Sequence, residues 1–93
     1  MSSATNDWQD FFENWPADMP RNGVLVVEFG EQIPFCSFST KGGLLAIQRR
    51  TPDNVSARQL VVPYSQISSL KITNVIPGSV FTDAGFVGEL VVS

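Results

Sequence analysis

The amino-acid sequence predicts a mainly β domain: a short N-terminal α-helix, then a five-stranded, bent antiparallel sheet forming a small barrel, then a C-terminal extension. Three observations carry this. Trp8, Phe11, Phe12 and Trp15 recur at i, i+3, i+4 and i+7, the spacing of one helical face. Five strand-like runs follow, separated by clusters of Gly, Pro, Asn, Asp and Ser. Between Val61 and Ile72, two of these runs meet across the tight polar step Tyr64-Ser65-Gln66.

Taken in order, residues 1–5 read as a loose tail. Asn6 is placed to cap a helix, with Gln9 as reciprocal partner. Asp7, Asp10 and Glu13 lie off the aromatic face and suit the positive helix N-terminus. Pro16 stops the helix, leaving two to three turns, too few to be stable without docking. The expected dock is the open end of the barrel, with a partner-binding anchor as the alternative. After an irregular connection (Pro16, Pro20, Asn22, Gly23) the first strand is expected over Val24–Phe29 and the second over Ile33–Thr40. Pro34 lacks an amide hydrogen and marks an edge, a strand start or a bulge. Lys41-Gly42-Gly43 turns the chain into the third strand, Leu44–Arg50. The loop Thr51–Ala57 holds Pro52, Asp53 and Asn54, which are turn formers. The fourth strand is expected over Arg58–Pro63 and the fifth over Ile67–Thr73. Residues 1–73 thus make the helix and barrel, and 74–93 an extension packing on the same domain or on a neighbour. In that extension Pro77-Gly78 is a turn, Val80, Phe81 and Ala84 suit one helical turn closed by Gly85, and Glu89–Val92 reads as a short strand able to add to a sheet edge.

Composition bounds the function. The 93 residues make one domain with a modest core. Charged residues are only 16%, so part of the surface suits burial against another chain. Several strands are apolar on both faces: Val24 to Val27 are consecutive, as are Leu60, Val61 and Val62. A wet outer face would alternate, so a homo-oligomer whose edges and outer faces meet neighbouring copies is expected. The net charge is −3, concentrated in residues 1–18, where four acids face no base. The rest is near neutral, which disfavours nucleic acid as the partner without removing it. The chain has no histidine and one cysteine, Cys36, expected in the core. That leaves no zinc set, no intrachain disulfide, no acid–base pair of the usual kind and no cofactor motif, so no enzyme activity is expected. No apolar run approaches the ~18 residues of a membrane span and no signal-peptide pattern opens the chain, so the expectation is a cytoplasmic protein with no membrane partner.

The order of elements over residues 6–73 resembles the Sm-like (LSm) family, an N-terminal helix followed by a strongly bent five-stranded barrel. Its best local match is Val61 to Ile72, where Val61, Val62 and Ile67 keep the apolar frame around the short step between the last two strands. The resemblance implies ring assembly through strand four of one subunit and strand five of the next. It implies RNA binding only in part. Pro63 and Tyr64 stand where many members carry Arg-Gly, and Tyr64 and Ser65 where the bacterial RNA chaperones of the family carry a basic residue and His. Lys41, Gly42, Gly43, Leu44 and Leu45 fill the turn that otherwise bears an Asp and an Asn. Val75-Ile76-Pro77-Gly78-Ser79, Ala84-Gly85-Phe86 and Gly88-Glu89 are similar to the middle of a PDZ domain, with Lys41 to Leu45 resembling its carboxylate-binding loop. The sequence ends at Ser93, before the long helix that would wall a peptide groove.

The leading expectation is therefore a non-catalytic, self-assembling or interaction module. Its expected interface residues are Trp8, Phe11, Phe12, Trp15, Val62 and Ile67. The alternatives are an RNA-binding Sm-like protein and a truncated PDZ-like peptide binder. For RNA or an acidic partner, including the acidic helix of a neighbouring copy, the expected contacts are Arg49, Arg50 and Arg58, with Tyr64 as a base-stacking platform.

Overall fold

The computed structural model describes residues 4–88 and residue 90. Helix α1 (Ala4–Glu13) leads into strands β1 (Gly23–Val27), β2 (Gln32–Lys41), β3 (Leu44–Arg49) and β4 (Gln59–Pro63). A 3-10 turn (Tyr64–Gln66) follows, then β5 (Ile67–Lys71) and a short helix α2 (Gly78–Asp83). The five strands form one antiparallel sheet in the order β4-β3-β2-β1-β5.

Helix α1 starts at Ala4, so Asn6 lies within its first turn rather than at the cap. The Gln9 amide donates to Glu13 Oε2 at 3.1 Å, one turn further along the helix. The predicted aromatic face docks on its own sheet. Phe12 is 1% exposed and meets Phe38 edge to face at 5.1 Å between ring centroids. Trp15 packs on the same Phe38 ring at 4.8 Å, and its indole N–H donates to Met19 O at 2.9 Å. Each such buried aromatic contributes about 1.5–3 kcal/mol by leaving water. This docking stabilises a helix too short to stand alone.

The core is laid down by strand alternation. Leu25, Ile33, Phe35, Leu45, Ile47, Val62 and Ile67 point inward and are buried. Two bulges bend the sheet. On β2, Phe35 pairs with Arg49 and Ser37 with Gln48, leaving Cys36 as the extra residue. The extra residue resets the alternation, so that Cys36 and Ser37 are both exposed and Phe38, not Ser37, turns inward. Cys36 is exposed, contrary to the expectation of a core thiol, because alternation from Ile33 and Phe35 turns it outward before the bulge changes the faces. On β5, Ser68 is the extra residue, between Val27↔Ile67 and Val26↔Ser69. Close to β5 only glycine fits: a Cβ on Gly23 would lie 2.6 Å from Lys71 O. Gly23→Ala is expected to cost about 1–3 kcal/mol by forcing these strands apart. Urea denaturation would register this, and an unchanged midpoint would disprove the close approach.

The sheet is not closed into a barrel. β4 and β5 are consecutive in the chain yet occupy opposite edges of the sheet. The reason lies in the step between them. Pro63 and Ile67 are both extended (φ −71°, ψ 147° and φ −83°, ψ 125°), and the 3-10 turn carries the chain across the gap instead of reversing it into a hairpin. Beyond β5, the described part of the extension folds onto its own domain. Val80 joins the core, and Phe86 meets Phe11 at 6.1 Å and Phe81 at 5.7 Å. The expected strand Glu89–Val92 lies outside the described residues except for Leu90, and of the expected loose tail residues 1–3 do so as well.

Candidate functional site

The prominent unsatisfied features are the two sheet edges. Arg49 N–H donates to Arg58 O at 2.8 Å at one end of the β3–β4 ladder, and Tyr64 N–H donates to Gly43 O at 3.1 Å at the other. Bonded pairs alternate along an antiparallel ladder. With Leu45 opposite Val62 and Ile47 opposite Leu60, those are the bonded pairs. The backbone groups of Gln59 and Val61 and the carbonyl of Pro63 therefore face away from β3, along the open edge. This explains why a proline is tolerated in β4: its missing N–H falls on the unpaired side. The opposite edge, β5, has the same length of five residues and, among the described residues, has no outer strand.

Side chains along β4 alternate sharply. Val62 is 7% exposed and belongs to the core, whereas Val61 is 60% exposed. The sequence reading placed Val62 at an interface, but its neighbour Val61 holds the outward position. Leu44, 42% exposed, and Ala46 lie near Val61 on the same surface, together with Ser39, Thr40 and Lys41. Ile67, Phe12 and Trp15 are likewise core residues rather than free anchors.

Tyr64 is also corrected. It is fully buried, with its ring 6.1 Å from Phe12, so it offers no face for a base to stack on. Burial raises its pKa above the ordinary tyrosine value, and the nearby Glu13 carboxylate adds to this. Its hydroxyl has no protein hydrogen-bond partner among the described residues. A buried hydroxyl without a partner costs about 1–3 kcal/mol. Tyr64→Phe is thus expected to leave stability unchanged or raise it by about 1 kcal/mol in thermal denaturation, and a clear loss would show that the hydroxyl is bonded.

Near β5 an apolar groove of about 310 Å³ opens between α1, the end of β5 and the α2 segment. Trp8, Phe11, Leu70, Ile72, Phe81 and Phe86 line it, and Asp7 is the one charged residue lining it among the described residues. Of the predicted helix face, Trp8 and Phe11 alone keep exposed surface, and they do so here. Phe81 and Phe86 were expected as parts of the extension's helical turn and PDZ-like motif, and neither they nor Leu70 and Ile72 were expected as site residues. Clustered apolar residues in the extension were the available signal, but the groove exists only because α2 folds back towards α1.

The three arginines gather around the β3–β4 loop. Arg49 and Arg58 are joined through the backbone, and Arg50 N–H donates to Pro34 O at 3.2 Å. Arg49 Nε donates to Thr51 O at 3.1 Å, while Arg50 and Arg58 are exposed. The loop between them is ordered by Asp53, whose Oδ1 accepts from Ala57 N–H at 2.8 Å and Val55 N–H at 2.9 Å. These bonds, Ala57 first, hold the Asp53 carboxyl below the ordinary aspartate value, with Arg49 assisting by its charge. Because the folded pKa is depressed, the carboxylate's support is complete above the ordinary value and fades as pH falls through the lowered one. An NMR titration should find Asp53 titrating below ordinary aspartate, with Val55 and Ala57 amide exchange rising together below that point. An ordinary pKa would contradict the geometry.

No group of three or more His, Cys, Asp or Glu side chains among the described residues is placed to hold a metal ion. No described helix is long and apolar enough to cross a membrane. Comparison with family models, with curated proteins and with solved structures finds no match for this chain.

Proposed function

We propose that this protein is a non-catalytic, self-assembling module of Sm-like type, in which β4 of one copy pairs with β5 of the next. The observation that carries this reading is the pair of equally long edges, open among the described residues, at opposite ends of a single sheet. Exposed edges invite strand addition unless they are blunted by charge, proline, bulges or cover. On β4 the outward residues Gln59, Val61 and Pro63 carry no charge, and Pro63 withholds a donor only at the last position of the strand; on β5 the extra residue Ser68 interrupts the ladder at a single point. Because the edges differ, the contact is heterologous and generates a ring if the rotation closes and a filament if it does not. The N-terminal helix and the 3-10 turn before the last strand add to the Sm-like resemblance. Light scattering across a dilution series tests the reading. A constant mass of several subunits is the expected result, and a monomer throughout sinks it.

A second reading, RNA binding, draws support from the convergence of Arg49, Arg50 and Arg58 on one loop. Without Tyr64 as a platform it rests on phosphate contacts alone. Labelled oligo-uridine at ~50 mM salt should then bind at micromolar concentration and weaken as salt rises; no binding at that salt eliminates it.

A further inference from the structure

We infer that the apolar groove beside β5 receives the β3–β4 loop of a second copy of this chain. The inference rests on the β4–β5 assembly proposed above and names what covers the groove within it. Every strand pair in the sheet is antiparallel. An incoming β4 in the same sense lays its N-terminal end, Arg58 and Gln59, against the C-terminal end of β5, Leu70 and Lys71. The groove begins at that end, with Leu70 and Ile72 in its wall. The loop preceding β4 therefore projects over the groove.

Charge and shape match there. The loop carries Val55, 81% exposed, with Arg49, Arg50 and Arg58 at its base. Among the described residues the groove is lined by apolar side chains apart from Asp7, and Asp10 lies one turn further along the same helix. Two further charges stand close to the contact, Asp53 in the loop and Lys71 at the end of β5. The Asp53 carboxylate accepts from its own loop's amides, and Lys71 Nζ donates to Gln32 Oε1 at 3.1 Å rather than lining the groove. Since Asp53 orders the loop in the single chain, docking it adds little conformational cost.

The test uses full-length protein and light scattering. Val55→Asp, at an exposed loop position that spares the core, should raise the assembly's dissociation constant about tenfold or more. Asp7→Arg and Arg58→Asp should each raise it about fivefold, and the two together should restore it to near the parent value, since the pair is re-formed with its signs exchanged. If Val55→Asp and both charge variants assemble like the parent while Val61→Asp does not, this inference fails and the edge reading stands. That outcome leaves the groove to another occupant. A parent protein that is monomeric at every concentration overturns both.

Discussion

Phe12→Ala is expected to lower the unfolding free energy by about 3–5 kcal/mol, the range for removing a fully buried aromatic from a packed core. Phe12 is 1% exposed and stands at the junction of helix and sheet. Its ring meets Trp8, Phe11, Trp15, Phe38 and Tyr64 at centroid distances from 5.1 to 6.1 Å. Truncation leaves a cavity that rigid rings on both sides cannot refill, and it detaches α1 from the 3-10 turn. A domain of this size commands about 5–15 kcal/mol in total. The variant should therefore approach unfolding, with the urea midpoint falling by roughly 1–3 M. Protein concentration must be held fixed, because assembly stabilises the folded state. A loss below about 1 kcal/mol would mean that the helix does not dock as described.

Two adjacent valines in β4 should respond oppositely to the same substitution. Val62→Asp places a carboxylate among core side chains at a position 7% exposed. The uncompensated charge should cost about 4 kcal/mol or more and abolish cooperative unfolding in circular dichroism. Val61→Asp puts the charge on the open edge, at a position 60% exposed. It should leave the β signal and the core intact, while an incoming strand would have to desolvate the carboxylate. The expected result is a folded chain whose mass in light scattering drops towards that of a monomer. If Val61→Asp retains the parent mass, β4 is not an assembly edge. If Val62→Asp stays folded, the β3–β4 register is wrong by one residue, because a slip of one exchanges the faces.

That pair of residues also marks where sequence reasoning stopped. Leu60, Val61 and Val62 are three consecutive apolar residues, and periodicity cannot tell which of them points inward. The answer comes from the register against β3, where Val62 opposite Leu45 faces the core. Cys36 needed no tertiary information: alternation from Ile33 and Phe35 already turns it outward, and the bulge reverses the faces only from Ser37 on, so that Phe38 rather than Ser37 is inside. Tyr64 was legible as part of a tight polar step, but its burial depends on a helix more than fifty residues earlier closing over it. The strand boundaries, by contrast, fall within two residues of those expected at every end, because glycine, proline and asparagine end strands by local chemistry that needs no partner.

What the sequence determined by itself was local: the helix face Trp8/Phe11/Phe12/Trp15, the five strands and the short step between the last two. Backbone preferences and the periodicities of helix and strand act within a few residues, so they can be read without neighbours. The tertiary structure alone decided which edges stay open, which of two adjacent valines meets solvent, and that α2 returns to α1 to make a groove. Those outcomes depend on bulges that shift register and on contacts between segments far apart in the chain, where the same apolar side chain is core or surface according to what packs against it.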